Sequence, residues 1–275
     1  MKKKLLLTLK AKILFLPVQF IIKKFFIIYL FIILLIDLYN SNSNAKSIED
    51  YGIISIMYHR FEENKYPSTN IKIKDFKNHL DIIKKNNFSF ISHKDFLNSI
   101  NSNNAEKKIL LTIDDGFSSF YKNAWPILKQ RKIPFLIFIN TETIGSNGYM
   151  NWSEIKEISK FDFVHIGNHS HTHDYLVDKS DAEIEEDLKK SIKIFKDKLN
   201  YETKFFAYPF GEYKKSYIEI VKKLGFDYGF GQHSGVMDKT KNKFELPRFP
   251  INEKYGQEKR FKTILNTLPF PYLKI

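Results

Sequence analysis

The sequence predicts an α/β protein whose parallel βα units form a single barrel or wound sheet. Three observations carry this reading. Short apolar runs alternate with stretches of helical period along most of the chain. An acidic pair, Asp114-Asp115, follows the apolar run Ile109-Leu110-Leu111, where a buried strand would end in a turn. Four of the eight histidines, His165, His169, His171 and His173, fall within nine residues, and the last three follow the apolar run Phe161 to Ile166. Two such loops at the carboxyl ends of strands describe an enzyme site on one face of a sheet or barrel. Histidine gathered with carboxylate is the donor set of a divalent metal site that keeps an open position.

The elements follow in order. Lys23 and Lys24 precede an apolar run from Phe25 to Ile36, and the small residues Ser43 and Ala45 come soon after. A basic flank, about a dozen apolar residues and small residues fit an export signal cleaved after Ala45. The run is short for a membrane span of about 20 residues. Because residues 1–22 are also basic and apolar, an uncleaved inner-membrane anchor is the alternative. The folded domain is expected over residues 46–275. Ile53 to Tyr58 reads as a buried strand, and Ile73 to Lys85 as a helix with Phe76, Leu80 and Ile83 on one face. Leu110 to Ile113 is a strand, Ser118 to Lys132 a helix interrupted at Pro126, and Pro134 to Ile139 a strand. Trp152 to Lys160 is a short helix and Phe161 to Ile166 a strand. Asp181 to Leu199 is a long helix with Ile184, Leu188, Ile192, Phe195 and Leu199 at helical spacing. Phe205 to Tyr208 is a strand, Lys214 to Leu224 a helix, and Phe226 to Phe230 the last strand. The tail after Pro247 is expected to be irregular and to pack across the barrel.

Composition narrows the function classes. The formal charge is +13, but residues 1–45 hold seven lysines and one aspartate, which leaves +7 for the domain. No basic stripe is interleaved with aromatics and no helix-turn-helix pattern occurs, so the sequence gives no support for nucleic-acid binding. The chain has no cysteine, which excludes disulfides, thiolate catalysis and cysteine-ligated zinc.

Three words, Thr112 to Phe117, Gly167 to His173 and Phe206 to Gly211, occur in this order at strand ends. Together they resemble the polysaccharide deacetylase (NodB-homology) family, carbohydrate esterase family 4. Met57-Tyr58-His59-Arg60 resembles the branch of poly-N-acetylglucosamine deacetylases. The resemblance covers about residues 50–250 and implies a distorted (β/α) barrel. It also implies that Asp115, His169 and His173 bind one divalent metal; two nitrogens and one oxygen suit Zn²⁺, and Co²⁺, Ni²⁺ or Fe²⁺ can take the same set. The spacing of His169 and His173 is expected to place both on one side of a helical turn. His171 should point away, and Ser170 should orient a ligand or cap the turn. Asp114 matches the family's general base.

The chain departs from the family pattern at Ala207, where many members carry an arginine that holds the catalytic aspartate. Arg248 is the expected substitute. The backbone N–H of Phe210 is expected to help hold an oxyanion, and Phe210, Tyr208 and Trp152 to line a sugar-binding groove. The family's late Leu-x-His word is missing, so the general acid is expected to be His59, with His233 as the alternative. The implied activity is removal of N-acetyl groups from N-acetylhexosamine units of a bacterial polysaccharide, by an exported protein of the periplasm or cell envelope. An O-acetyl esterase, a peptidoglycan deacetylase and a non-catalytic polysaccharide-binding or assembly protein are the rivals.

Overall fold

The computed structural model describes residue 32, residues 52–102 and residues 106–266. The expected export segment, residues 1–45, lies outside them apart from residue 32. Among the described residues no helix is long and apolar enough to cross a membrane.

The domain opens with β1 (Ile53–Tyr58), followed by a short parallel pair, β2 (Arg60–Phe61) and β3 (Asn70–Ile71). Helix α1 (Ile73–Lys85) buries Phe76, His79, Leu80, Ile82 and Ile83 on one face. Then come β4 (Ser89–Phe90) and α2 (His93–Ser99), which starts at a capping box between Ser92 and Asp95. Both are too short for periodicity to reveal them. Strand β5 (Lys108–Asp115) leads into α3 (Trp125–Arg131) and β6 (Phe135–Ile139). Next are α4 (Trp152–Ile158), β7 (Val164–Asn168), α5 (Asp181–Leu199) and β8 (Phe205–Ala207). The described chain ends with α6 (Lys215–Lys223), β9 (Tyr228–Phe230), β10 (Val236–Met237), β11 (Phe249–Pro250) and α7 (Glu258–Asn266).

Three expectations need correction. The helix expected from Ser118 to Lys132 is a π-helical turn, Phe120–Ala124, followed by α3. Pro126 has no N–H and its ring crowds the carbonyl four residues back, so a regular α-helix cannot run through. The strand expected at Phe161 to Ile166 starts at Val164. Phe161 and Phe163 instead pack on Trp125, with ring centroids 5.1 and 6.2 Å away. The tail after Pro247 is not irregular throughout, because β11 joins β1 and α7 packs on α1, with Phe261 stacked on His79 at 3.9 Å.

One nine-stranded sheet has the order β10-β1-β5-β6-β7-β8-β9, with β11 also on β1 and β4 on β5. Among its described strands only β10 runs antiparallel to its neighbour. The sheet curls, and its two ends are joined by one short segment. Leu246 bridges Phe230 of β9, and three residues later Phe249 pairs with Ile56 of β1. This agrees with the expected distorted barrel.

Alternation along the strands decides which side chains face the inside. Ile54, Ile56 and Tyr58, with Ile109, Leu111 and Ile113, pack outward in the largest core cluster together with residues of α1, α3, α4 and α7. Ile53, Leu110, Leu136, Phe138, Phe205 and Phe230 form an inner cluster, plugged from below by Phe96 of α2. By the same period, Thr112 and Asp114 share the inner face of β5 with Leu110, and His165, Gly167 and His169 share the inner side of β7.

Gly167 is there because Phe138 fills the space beside it: a Cβ at this position would lie 2.4 Å from the Phe138 ring. Gly167→Ala should therefore overpack the interior and cost about 1–3 kcal/mol. Denaturant unfolding checks this, and a loss within about 0.5 kcal/mol would show that Phe138 moves aside freely.

Candidate metal centre and its cavity

The upper rim of the barrel gathers the chemistry-bearing residues. At the end of β5, Asp114 continues the strand while Asp115 turns into the left-handed region at φ 73°. Neighbouring carboxylates thereby point in different directions. His169 directly follows β7. His173 comes after a loop with Ser170 at φ 71° and His173 itself at φ 60°. The expected helical turn is thus replaced by a left-handed loop. Four of the eight non-glycine residues with positive φ among the described residues, Asp115, Ser170, His173 and Phe210, belong to this rim. Strain of this kind persists only where surrounding contacts over-determine the backbone.

Asp115, His169 and His173 each offer one ligand atom, all within 4.8 Å of one another. Nε2 of His173 lies 3.1 Å and Nε2 of His169 3.5 Å from Oδ1 of Asp115. That oxygen is buried yet makes no hydrogen bond, so neither nitrogen is aligned to donate to it. A buried carboxylate oxygen left in this way is costly unless a cation joins it. Nδ1 of His169 meets the carbonyl of Ala207 at 2.7 Å. Only an N–H can donate to a carbonyl, so the proton sits on Nδ1 and Nε2 presents its lone pair to the centre. The donor set fits a divalent metal ion.

Electrostatics point the same way. Burial pushes His169 down to about 4, against the opposing pull of Asp114 and Asp115, so it is neutral at physiological pH. Burial also works against charge on His173, but its proximity to Asp115 and the charge of Asp114 outweigh burial and raise its pKa. Burial alone would raise Asp115. The proximity of His173 and the charges of His59 and His169 more than reverse this and hold it far below the ordinary range.

Asp114 is 2% exposed, and Arg248 grips both its oxygens: Nη1 donates to Oδ1 at 2.7 Å and Nη2 to Oδ2 at 2.8 Å. Burial would raise this carboxyl, but the Arg248 charge, then His169 and His59, hold it below the usual range. Arg248 reaches it because residues 246–250 are the segment that joins β9 to β1. Its Nε donates to the Gly231 carbonyl at 2.8 Å and its Cζ lies 5.4 Å from the Phe138 ring centroid. The structure therefore brings Arg248 to Asp114, where the sequence had it replace the arginine absent at Ala207.

A cavity of about 310 Å³ opens over these groups. His59, Asp114, Asp115, His173 and Phe210 line it, and His233 is not among its lining residues. Phe210 is 51% exposed, packs against His173 at 4.9 Å and touches Tyr175 at 5.5 Å. Gly211, at φ +74°, follows because any Cβ would strike Gln232.

Of the two other aromatic residues expected in the groove, one meets the cavity and one does not. Tyr208 touches the cavity wall, but its ring is wholly buried against Phe206 and Tyr217 at 5.2 and 5.1 Å. Trp152 packs on the large core cluster, away from the cavity, because Asn151 caps α4 and turns its first residue inward. Tyr255, Asn252, Ser68 and Thr69, which sequence reasoning missed, also line the cavity. His171 points away, as expected, with Nδ1 2.8 Å from Thr141 Oγ1. Ser170 caps the loop, its Oγ accepting the His173 N–H at 3.0 Å. Asp187, also missed, holds the same loop from α5. Its signal was present, since it lies on the helix's buried stripe among Ile184, Leu188 and Ser191.

A curled parallel sheet with two histidines and an aspartate at its carboxyl rim, next to an arginine-held aspartate, defines an α/β protein with a candidate divalent-metal centre. A family model described as polysaccharide deacetylase matches residues 101–229. The poly-beta-1,6-N-acetyl-D-glucosamine N-deacetylase of Staphylococcus aureus is 29% identical over 194 residues, which span 65% of this chain and 66% of that protein. IcaB from Ammonifex degensii superposes with a TM-score of 0.71 at 24% identity, over 78% of this chain and 97% of that structure. The Streptococcus pyogenes deacetylase PplD gives 0.71 at 22% identity, over 79% and 100%. These two structures establish the fold. Over residues 101–229 the chain is thus similar to the polysaccharide deacetylase family.

Proposed function

We propose that the protein is an exported, metal-dependent hydrolase that removes N-acetyl groups from N-acetylhexosamine units of a bacterial polysaccharide. Poly-β-1,6-N-acetylglucosamine is the first substrate to test, because the staphylococcal relative is named for it. The observation that carries the reading is the Arg248-held Asp114 beside the Asp115-His169-His173 cluster, in one open cavity. Export rests on the basic-apolar segment within residues 1–45.

Asp115, His169 and His173 would hold the metal, Zn²⁺ by its donor set. A divalent ion there would supply Lewis acidity for hydrolysis of an acyl group. Asp114, ionised and held by Arg248, would take the proton of an attacking water as general base. The backbone N–H of Phe210 would help hold the oxyanion, and the exposed Phe210 ring would form one wall against the sugar. His59, on the cavity wall, would give the leaving amine its proton, since an amine leaves poorly unless protonated. Metal-loaded protein should release acetate from β-1,6-linked N-acetylglucosamine oligomers, and faster than from O-acetylated glycans or peptidoglycan. Release confined to either competitor would replace this reading with an esterase or a peptidoglycan deacetylase.

The acid assignment has its own test. His59→Ala should lower turnover on the amide by about 10² or more, with a far smaller loss on acetyl esters of good leaving groups and with metal retained. The same pattern in His233→Ala, with His59→Ala active, would move the role to His233.

A further inference from the structure

The loop that carries His173 cannot hold its own shape. Ser170 and His173 both take left-handed φ without being glycine, and the local side-chain bonds pin its ends: Asn168 Oδ1 accepts the Ser170 N–H at 2.9 Å, Ser170 Oγ the His173 N–H at 3.0 Å and Thr172 Oγ1 the Asp174 N–H at 3.2 Å. From outside, Thr141 and Glu142 hold the Ser170 and His171 carbonyls and the His171 ring, while α5 holds the backbone N–H groups at the loop's middle. Asp187 Oδ1 accepts the His171 N–H at 2.8 Å, and Oδ2 accepts the Thr172 N–H at 3.0 Å and the Thr172 hydroxyl at 2.8 Å. Asp187 is 8% exposed and makes no ion pair with lysine or arginine among the described residues. A buried carboxylate without a cation is expensive, and here the donors that solvate it all come from the loop between the two histidines. An apolar residue would suit this position on the buried stripe of α5 better if packing were its only task.

We propose that Asp187 is a positioning residue for the metal centre. It clamps the two residues midway between His169 and His173, and so sets the separation and aim of their ring nitrogens. This inference rests on the reading of Asp115, His169 and His173 as a metal site. Outer contacts that orient ligands change metal affinity by about 10- to 100-fold when lost.

The test is Zn²⁺ titration of metal-stripped protein against a chromophoric chelator, with Co²⁺ absorption as a second readout. Asp187→Ala should bind Zn²⁺ about 10- to 100-fold more weakly and give an altered Co²⁺ spectrum. Leu188→Ala, which loosens α5 without touching the loop, should lower Tm but leave affinity unchanged. Affinity losses that merely track Tm in both variants would overturn the proposal, and so would unchanged affinity in Asp187→Ala. If Asp187→Ala does not fold, Thr172→Val removes one of the three bonds, and several-fold weaker binding is expected; wild-type affinity there would count against the clamp. Failure of the wild type itself to bind Zn²⁺ or Co²⁺ would instead remove the metal-site reading.

Discussion

Asp115→Ala should lose metal and activity together, whereas Asp114→Asn should keep its metal and lose rate by about 10² or more. The two residues are neighbours in sequence, yet their surroundings separate their roles. Asp115 turns out of the strand at φ 73°, and its buried Oδ1 faces both histidine Nε2 atoms without a hydrogen bond. Removing it deletes one of the three candidate ligand atoms. Asp114 stays on the inner face of β5, with both oxygens committed to Arg248 and Oδ2 3.8 Å from His169 Nε2. Asparagine keeps its shape and volume but is a very weak base and can accept only one of the two guanidinium bonds. Metal analysis and acetate release on the same preparations separate the roles. Metal loss in Asp114→Asn, with full occupancy in Asp115→Ala, would exchange them.

Much of the site could be read in the sequence because it is built from local words at strand ends. The period of two puts Asp114 and His169 on the inner face, and the residue types name a metal chemistry. What escaped depends on contacts distant in sequence. Asp187 clamps backbone 15 and 16 residues away, and nothing local distinguishes it from a solvated helix carboxylate except its place in an apolar stripe. Strands β10 and β11 are two residues each and exist only through pairing with β1. The four-residue spacing of His169 and His173 suggested a helical turn, but the side-chain bonds of Ser170 and Asp187 hold a left-handed path instead. Aromatic residue type does not encode exposure. Thus Trp152 went to the core and Tyr208 meets the cavity only from a buried ring, while Tyr255, in the segment read as irregular, came to the cavity.

Arg248→Met should be the most damaging single change that leaves every proposed metal ligand in place. Methionine fills much of the space against Phe138 but leaves the Asp114 carboxylate buried and unpaired, and breaking a buried pair from one side costs about 3–5 kcal/mol. The pH dependence has a definite sign. In the wild type the folded pKa of Asp114 is depressed, chiefly by Arg248 acting against burial. Its stabilising contribution is therefore present above the unfolded value of about 3.9 and is lost as pH falls through the folded value. Without Arg248, burial dominates and the folded pKa rises. The variant should then be weakest relative to the wild type near neutral pH, and the gap should narrow on acidification as the carboxyl takes up a proton. Activity should report the same shift: the acidic limb of the pH–rate profile moves upward, because Asp114 must be ionised to serve as the proposed general base. Metal content should remain intact, since Arg248 contacts Asp114 and not the proposed ligands. Arg248→Lys should recover only part of the loss, because an ammonium cannot reproduce the two parallel bonds to the carboxylate. Denaturant unfolding at pH 7 and pH 5, with pH–rate profiles of both variants, checks the argument. An unchanged acidic limb in Arg248→Met would leave Arg248 a structural residue that joins β9 to β1.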